Sequence, residues 1–250
     1  MPALCMPDAI AAKTCSEIEL KVAATRSERQ AAFELVYQSY LRAGLCAEHP
    51  LGMRFTRYQL LPTTDIIIAK LRGEVVSTLS LVRDGELGLP MEDIYADEVA
   101  ARRKRGVRLA EVSCLADRRK DASRFFGLFR ELTRLMAQLG TNTGVDELLV
   151  AVHPRHTGIY RRYMAFKPLG DLRNYPAVQE RPAVALCLNF NAAKIDSPKS
   201  WNEFFAVPLP TEVLRTCPMP EADQEYFVSL LTDSDYDCPA VHNRARLMSA

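Results

Sequence analysis

The chain has 250 residues, of which 48% are hydrophobic and 25% charged, with a formal net charge of +1 and a mean hydropathy of −0.10. This composition excludes a disordered, collagen-like or coiled-coil chain, and the length suits one large domain or a domain with an appendage. No uncharged apolar run approaches the roughly 20 residues that a membrane-spanning helix needs. Residues 1–13 contain Asp8 and no basic residue before it, so the pattern of a secretory signal peptide is lacking. We therefore expect a cytoplasmic protein.

The seven cysteines are odd in number and widely scattered, and no two of them form a Cys-x-x-Cys pair. This spacing predicts neither a disulfide framework nor a metal site.

Charge is distributed unevenly along the chain. Residues 1–190 hold 27 basic and 22 acidic residues, whereas residues 191–250 hold 5 and 9, together with six prolines. We therefore divide the chain into an N-terminal segment (1–17), a domain (18–190) and a proline-rich acidic C-terminal extension (191–250). Within the domain, residues 102–134 carry 11 basic and 4 acidic residues, a balance that favours an anionic partner.

Hydrophobic periodicity predicts alternating strands and helices. The capping-box pattern of Thr25 and Glu28 starts the first helix, and Gly44 is placed to end it. Two β-branched runs on either side of residues 72–74 predict a hairpin. Gly140 is placed to end a later, long helix. The predicted strands are 18–24, 65–71, 75–82, 107–116, 147–152 and 182–190, and the further helices are 91–105, 121–139, 155–164 and 221–231.

This order of elements implies an α/β (α+β) fold with a mixed central sheet, helices on both faces and a C-terminal extension. In the extension only residues 221–231 are predicted to be helical. We expect residues 197–231 to dock on the core through the cluster of Trp201, Phe204 and Phe205, and residues 233–250 to stay mobile.

Three segments carry a resemblance to a known family. They are Leu109-Ala-Glu-Val-Ser-Cys-Leu-Ala116, Val152-His-Pro-Arg-His156 followed by Tyr160-Arg-Arg-Tyr-Met-Ala-Phe166, and Asp84 with Gly88-Leu-Pro90. With the element order, residues 18–190 resemble the FeeM-like N-acyl amino acid synthases, GNAT-related N-acyltransferases that are relatives of the acyl-homoserine lactone synthases. The resemblance implies a bacterial cytoplasmic enzyme with a GNAT-like fold. Its reaction would move a long-chain fatty acyl group from the phosphopantetheine thioester of acyl carrier protein to the amino group of an amino acid, without a permanently bound cofactor.

Glu111 is the expected catalytic base, because an amine must lose a proton to attack a thioester. Its apolar strand neighbours would desolvate it and raise its pKa. The resemblance supports this role and adds Ser113, which could orient a water molecule or donate to the carbonyl, and Tyr160, which could protonate the departing thiolate. The alternatives are a carboxylate paired with arginine, a strand serine bonded to the backbone, and a tyrosine one residue farther from the Ala165–Phe166 pair than the family pattern has it. A main-chain N–H of residues 112–115 is expected to hold the oxyanion.

Several residues are candidates for substrate binding. Asp84 could recognise the ammonium group or orient Glu111, or it could be an ordinary turn aspartate. His153, followed by Arg155, ends a strand where mixed sheets place ligand sites. Phe125 and Phe129 could line a tunnel for the acyl chain or pack in the core.

The loop at residues 117–124 has no glycine, unlike the loop with which CoA-dependent GNAT enzymes hold the pyrophosphate. A basic loop suits a large acidic partner such as acyl carrier protein better than a diphosphate. The candidate docking residues are Arg118, Arg119, Lys120 and Arg124. The alternative is a solvated basic helix cap.

Three other functions stay open. They are an acyl-homoserine lactone synthase, disfavoured because the only tryptophan lies in the extension, a CoA-dependent N-acetyltransferase, and a non-catalytic module that binds acyl carrier protein. A binding module would need no buried base. The sequence leaves open the amino acid, the acyl length and the oligomeric state.

Overall fold

The structure is a computed structural model that describes residues 18–118 and 122–231, without the side chains of residues 122–125. Arg119, Lys120 and the predicted mobile segment 233–250 lie outside the described residues, as does the segment 1–17. The strands are β1 (Ile18–Val22), β2 (Thr64–Leu71), β3 (Glu74–Arg83), β4 (Leu109–Asp117), β5 (Glu147–Val152), β6 (Lys167–Tyr175) and β7 (Arg181–Asn189). The helices are α1 (Arg26–Ala43), α2 (Glu92–Arg103), α3 (Ala122–Asn142), α4 (Thr157–Tyr163), α5 (Phe190–Asp196), α6 (Pro198–Phe205) and α7 (Glu221–Ser229).

One seven-stranded sheet with the order β1-β2-β3-β4-β5-β7-β6 forms the centre of the fold. Only β4 and β5 pair in parallel, and the other neighbours are antiparallel. Apolar side chains of α1 and α2 pack on one face of the sheet, and those of α3 pack on the other. The mixed sheet with helices on both faces is therefore confirmed.

The first helix begins and ends as its sequence predicts. The Thr25 side chain accepts from the backbone N–H of Glu28, and the Glu28 side chain accepts from the backbone N–H of Thr25. Gly44 ends the helix in the left-handed region, at φ 66°, where a residue without Cβ is unstrained. The hairpin is confirmed as well, with its turn at Arg72 and Gly73.

Three elements differ from the prediction. Helix α3 continues past Gly140 to Asn142, and a Cβ at Gly140 would make an ordinary van der Waals contact with Leu148, so this glycine neither ends the helix nor is required by packing. Strand β6 was missed because an edge strand with polar, mostly exposed residues lacks an apolar alternation. The last strand ends at Asn189, whose side chain accepts from the backbone N–H of Ala192 and caps α5. Helices α5 and α6 therefore occupy a region predicted as irregular.

The extension docks on the core as predicted, over the part of it that the structure describes. Trp201 stacks on Phe205 at 4.0 Å between ring centroids, and Phe204 is buried with the side chains of α3. Gln138 of α3 fastens this contact, because its side chain donates to two backbone carbonyls of the extension and accepts from the backbone N–H of Leu209. Phe227 of α7 is fully buried on the opposite face. None of the described helices combines the length and the apolar character that would let it span a membrane.

Candidate active site

Strands β4 and β5 separate in the middle of the sheet. Their pairing ends at Glu111 and Leu149, although β4 continues to Asp117 and β5 to Val152. Beyond this point β5 pairs only with β7, so a gap opens between two neighbouring strands. A bulge against β3 gives Cys114 a φ of 53° and leaves it without a register partner. The main chain expected to hold the oxyanion therefore borders the gap.

Glu111 is the last paired residue of β4 before the gap, and its side chain faces the α2 side of the sheet. It is 2% exposed, and its Oε2 accepts a hydrogen bond from the backbone N–H of Met91 at 2.7 Å. Burial raises its pKa to about 8; the Met91 bond opposes this shift, and the charges of Asp93 and Glu92 add to it. A carboxylate of this pKa can accept a proton from an amine near neutral pH. No arginine forms an ion pair with Glu111 among the described residues.

A group of polar and aromatic side chains surrounds Glu111 on this face. Burial raises the pKa of Tyr40, Tyr58 and Tyr175, and the charge of Glu111 contributes to each shift, so all three phenols lie within its electrostatic range. Arg54 lies over the ring of Tyr40, 5.2 Å from the centroid. We call these five residues the polar cluster.

An apolar cavity lies on the opposite face of the gap, beneath α3 and α4. It is small, with a volume of about 10 Å³, which is roughly the room that one water molecule needs. Its walls come from β3, β4, β5, α3, α4 and the residue before β6. The lining residues are Leu79, Val112, Leu115, Phe129, Thr133, Met136, Val150, Tyr160, Met164 and Phe166. Apart from one threonine and one tyrosine, this lining offers only hydrocarbon, sulfur and ring surface.

Tyr160 joins the cavity to the gap. Its ring contacts Phe129 and Phe166 edge to face, at 6.5 and 5.4 Å between centroids, and burial raises the pKa of its phenol to about 12. It therefore stays protonated near neutral pH. Tyr160 also contributes to the raised pKa of Tyr40, although the two side chains belong to opposite faces of the sheet. The two phenols therefore lie within electrostatic range of each other across the sheet.

Asp84 lies on the loop after β3 and is engaged by an arginine. Both of its oxygens accept from Arg103, at 2.6 and 2.7 Å, and Arg103 also bonds to Glu92. These bonds hold the loop that presents the Met91 N–H to Glu111. Asp84 therefore supports the site through the backbone, and contact between Asp84 and a substrate stays a prediction.

The other predicted residues are placed as follows. Ser113 follows Glu111 by two positions on β4, and its buried hydroxyl finds no hydrogen-bond partner of good geometry among the described residues. His153 and Arg155 follow β5 at the surface, where the His153 ring accepts from the Arg155 backbone N–H at 3.3 Å. Phe129 lines the cavity, whereas the side chain of Phe125 is outside the described part of the chain.

The basic loop is described only at its start. Arg118 is exposed and lies 3.6 Å from Glu74, a surface pair that leaves it accessible. The side chain of Arg124 is not described. Docking of a carrier protein at this loop stays a prediction.

Sequence reasoning missed four residues of the polar cluster: Tyr40, Arg54, Tyr58 and Tyr175. They come from α1, from the segment between α1 and β2, and from the end of β6, so no local spacing joins them. The one local signal is the run Arg54-Phe-Thr-Arg-Tyr58, which concentrates cations and rings in a connecting segment. Within residues 18–118 and 122–231, no group of three or more His, Cys, Asp or Glu side chains is arranged to hold a metal ion.

A parallel strand pair separates beside a buried carboxylate within a seven-stranded mixed sheet. The comparisons with known proteins identify this arrangement as a GNAT-like fold and the protein as an N-acyltransferase. The family model described as "N-acyl amino acid synthase FeeM" matches residues 31–189. The chain belongs to this family. No curated protein sequence matches it significantly.

Solved structures support the assignment of the fold. The structure of FeeM, an N-acyl amino acid synthase from uncultured soil microbes, is 26% identical, with 69% of this chain and 89% of that chain covered and a TM-score of 0.59. The acyl-homoserine lactone synthase LasI is 15% identical, with 77% and 96% covered and a TM-score of 0.57. MesI, a CoA-dependent acyl-homoserine lactone synthase, is 12% identical, with 77% and 97% covered and a TM-score of 0.54.

Proposed function

We propose that this N-acyltransferase moves a long-chain fatty acyl group from the phosphopantetheine thioester of acyl carrier protein to the amino group of an amino acid. The observation that carries the proposal is Glu111, a buried carboxylate of pKa about 8 at the opening between β4 and β5. The apolar residues around the small cavity on one side of that opening match the character of an acyl chain, for which the cavity would have to widen. The polar cluster on the other side suits an amino acid.

The reaction needs three proton transfers and no covalent enzyme intermediate. Glu111, directly or through a water molecule, takes a proton from the acceptor ammonium, and the free amine attacks the thioester carbon. The new C–N bond gives a tetrahedral oxyanion, which main-chain N–H groups beside the bulge at Cys114 would stabilise. Collapse breaks the C–S bond, and Tyr160 gives its proton to the departing thiolate. The nitrogen, which still carries two protons after the attack, gives one of them back to the Tyr160 phenolate. The products are an N-acyl amino acid and the free carrier thiol, and the proton on Glu111 passes to solvent.

The choice of acyl carrier protein as donor depends on the composition of the loop before α3. This loop lacks the glycines whose amides would hold a pyrophosphate, and it carries three consecutive basic residues, Arg118, Arg119 and Lys120. The charge of these residues complements an acidic carrier surface. CoA thioesters are the alternative donor.

The test combines lipid analysis with assays on the purified protein. Cells that express the wild-type chain should accumulate N-acyl amino acids detectable by mass spectrometry, and cells that express E111Q should not. In vitro, acylation of amino acids by acyl carrier protein thioesters should exceed acylation by the matching CoA thioesters. An absence of any N-acylated product from the folded wild-type enzyme with either donor would overturn the proposal, and a clear preference for CoA would overturn its donor.

A further inference from the structure

Arg54 is the cation of the polar cluster, and it forms no ion pair with a described carboxylate. Its backbone N–H donates to the Phe33 carbonyl at 3.1 Å, which fixes the segment against α1. Its guanidinium donates to the Ala177 carbonyl and lies over the Tyr40 ring. Among the described residues it forms no ion pair. A half-buried cation whose only partners are a carbonyl and a ring keeps donors available for an anion.

Arg54 and Glu111 are related by a short series of contacts on the same side of the sheet. The Arg54 guanidinium donates to the Ala177 carbonyl, and the Tyr175 hydroxyl, two residues earlier in the chain, donates to the Pro90 carbonyl at 3.0 Å. The next N–H, that of Met91, donates to Glu111. Burial raises the pKa of Tyr40, and the Arg54 charge opposes this shift while the Glu111 charge adds to it, so both charges lie within electrostatic range of the same phenol. Glu111 is also the residue at which β4 leaves β5.

Neighbouring arginines are already occupied. Arg103 and Arg102 form ion pairs with Asp84 and with Glu147. Arg57 donates to the Tyr58 hydroxyl at 3.1 Å, and its charge opposes the desolvation that raises the pKa of Asp93, so Asp93 lies within its electrostatic range. Arg54 differs from these three arginines because, within the described part of the chain, it has neither an ion pair nor a hydrogen bond to a side chain.

We propose that Arg54 binds the α-carboxylate of the acceptor amino acid and thereby selects amino acids over amines that lack a carboxylate. An α-amino acid carries its two charged groups on one carbon. When its amino group lies at Glu111, its carboxylate therefore stays close by, on the side of the sheet where Arg54 lies. A guanidinium presents parallel donors that match both oxygens of a carboxylate. The aromatic side chains around it exclude water and strengthen this pairing. This inference depends on the proposed function, because it identifies what holds the acceptor of that reaction.

The experiment compares an amino acid with its carboxamide as acceptor, with the same acyl donor. In the wild type, kcat/KM for the amino acid should exceed that for the amide by about 10- to 100-fold, the range expected for hydrogen bonds between charged groups. In R54Q this ratio should fall toward one, mainly through a higher KM for the amino acid, while the activity on the amide changes little. R54K, which keeps the charge but not the fork of donors, should fall between them.

The matched control is R181Q. Arg181 is an exposed arginine that also donates to a backbone carbonyl, that of Gly44, at 3.3 Å, and it should keep the wild-type preference. Thermal unfolding of each variant shows whether the loss of a backbone bond matters for folding. An R54Q enzyme that folds, acylates the amide and still prefers the amino acid by the wild-type factor would overturn the role of Arg54. A wild type that acylates neither acceptor would instead overturn the proposed function.

Discussion

The backbone N–H of Met91 donates to Oε2 of Glu111 at 2.7 Å, from a loop that Arg103 fastens through Asp84 and Glu92. This single bond fixes the orientation of a carboxylate that burial would otherwise make neutral over a wide pH range. Its effect on the pKa of Glu111 is opposite to that of burial, and the balance brings the pKa to about 8. The base is therefore strong enough for an ammonium group and still ionised in part near neutral pH.

Replacement of Glu111 by glutamine should lower turnover strongly. The amide keeps the shape and can still accept from the Met91 N–H, but it cannot take a proton, and general-base catalysis is worth about 10²- to 10⁴-fold. The comparison is E147Q, which weakens the ion pair of Glu147 with Arg102 and should lower stability while the folded enzyme keeps its turnover. Wild-type turnover in E111Q would remove Glu111 from the mechanism.

The pH dependence follows from the raised pKa of Glu111. Below about pH 8 the ionised fraction of the carboxyl falls as the pH falls, so kcat/KM should rise with pH and level off above this value. Folding should show the opposite trend: the folded state holds a proton that the unfolded state has lost, so stability falls as pH rises from about 4.5 through about 8. The slope from this group is at most about 1.4 kcal/mol per pH unit. Chemical denaturation of wild type and E111Q across this range should show the slope only in the wild type.

The phenol of Tyr160 should matter only when the leaving group needs a proton. Because burial raises its pKa to about 12, it is protonated at neutral pH and can serve as an acid. We expect Y160F to lower turnover with an alkyl thioester, such as acyl-pantetheine, and to leave turnover with an aryl thioester nearly unchanged, since an aryl thiolate departs without protonation. Equal losses with both donors would mean that the hydroxyl positions the substrate.

Reversal of the charges in the basic loop should weaken the reaction with acyl carrier protein and leave the reaction with small thioesters unchanged. A chain with Arg118, Arg119 and Lys120 changed to glutamate should show a higher KM for acyl carrier protein and a weaker salt dependence, because surface charges steer association through a field screened over about 8 Å. A small thioester should react as with the wild type. Lys104 and Arg105, two exposed cations after α2, provide the matched control when reversed. Equal damage with both donors would indicate that the loop shapes the active site.

Helix α7 of the extension should raise the free energy of unfolding of the protein through one buried ion pair. Arg29 is 1% exposed and donates to Oδ2 of Asp223 at 3.0 Å. Asn at position 223 leaves that cation without its charge partner, so D223N should cost about 3–5 kcal/mol of unfolding free energy. D196N, which removes the exposed pair of Asp196 with Lys167, should cost about 0–1 kcal/mol. Equal costs in urea denaturation would show that α7 is not held by this pair.

The local sequence determined the elements whose signals are local. Thr25, Glu28 and Gly44 specify the ends of α1 through caps that involve neighbouring residues, and the β-branched runs around Gly73 specify the hairpin. Glu111 could be recognised as a candidate base because a carboxylate inside an apolar strand conflicts with burial unless it has a use. The strand pattern and the three spaced motifs together predicted the fold and the family.

Only the tertiary structure decided what surrounds Glu111. The gap depends on where β5 leaves β4 while it stays paired with β7, and these pairings join residues 32 to 42 positions apart, which no periodicity encodes. Tyr40, Arg54 and Tyr175 meet there because α1, a connecting segment and the end of β6 converge on one face of the sheet. The pKa of Glu111 is also a tertiary property, since it is set by desolvation and by a hydrogen bond from a loop 20 residues away. Local sequence identified Glu111 as the candidate base, and long-range packing determines its pKa and the side chains around it.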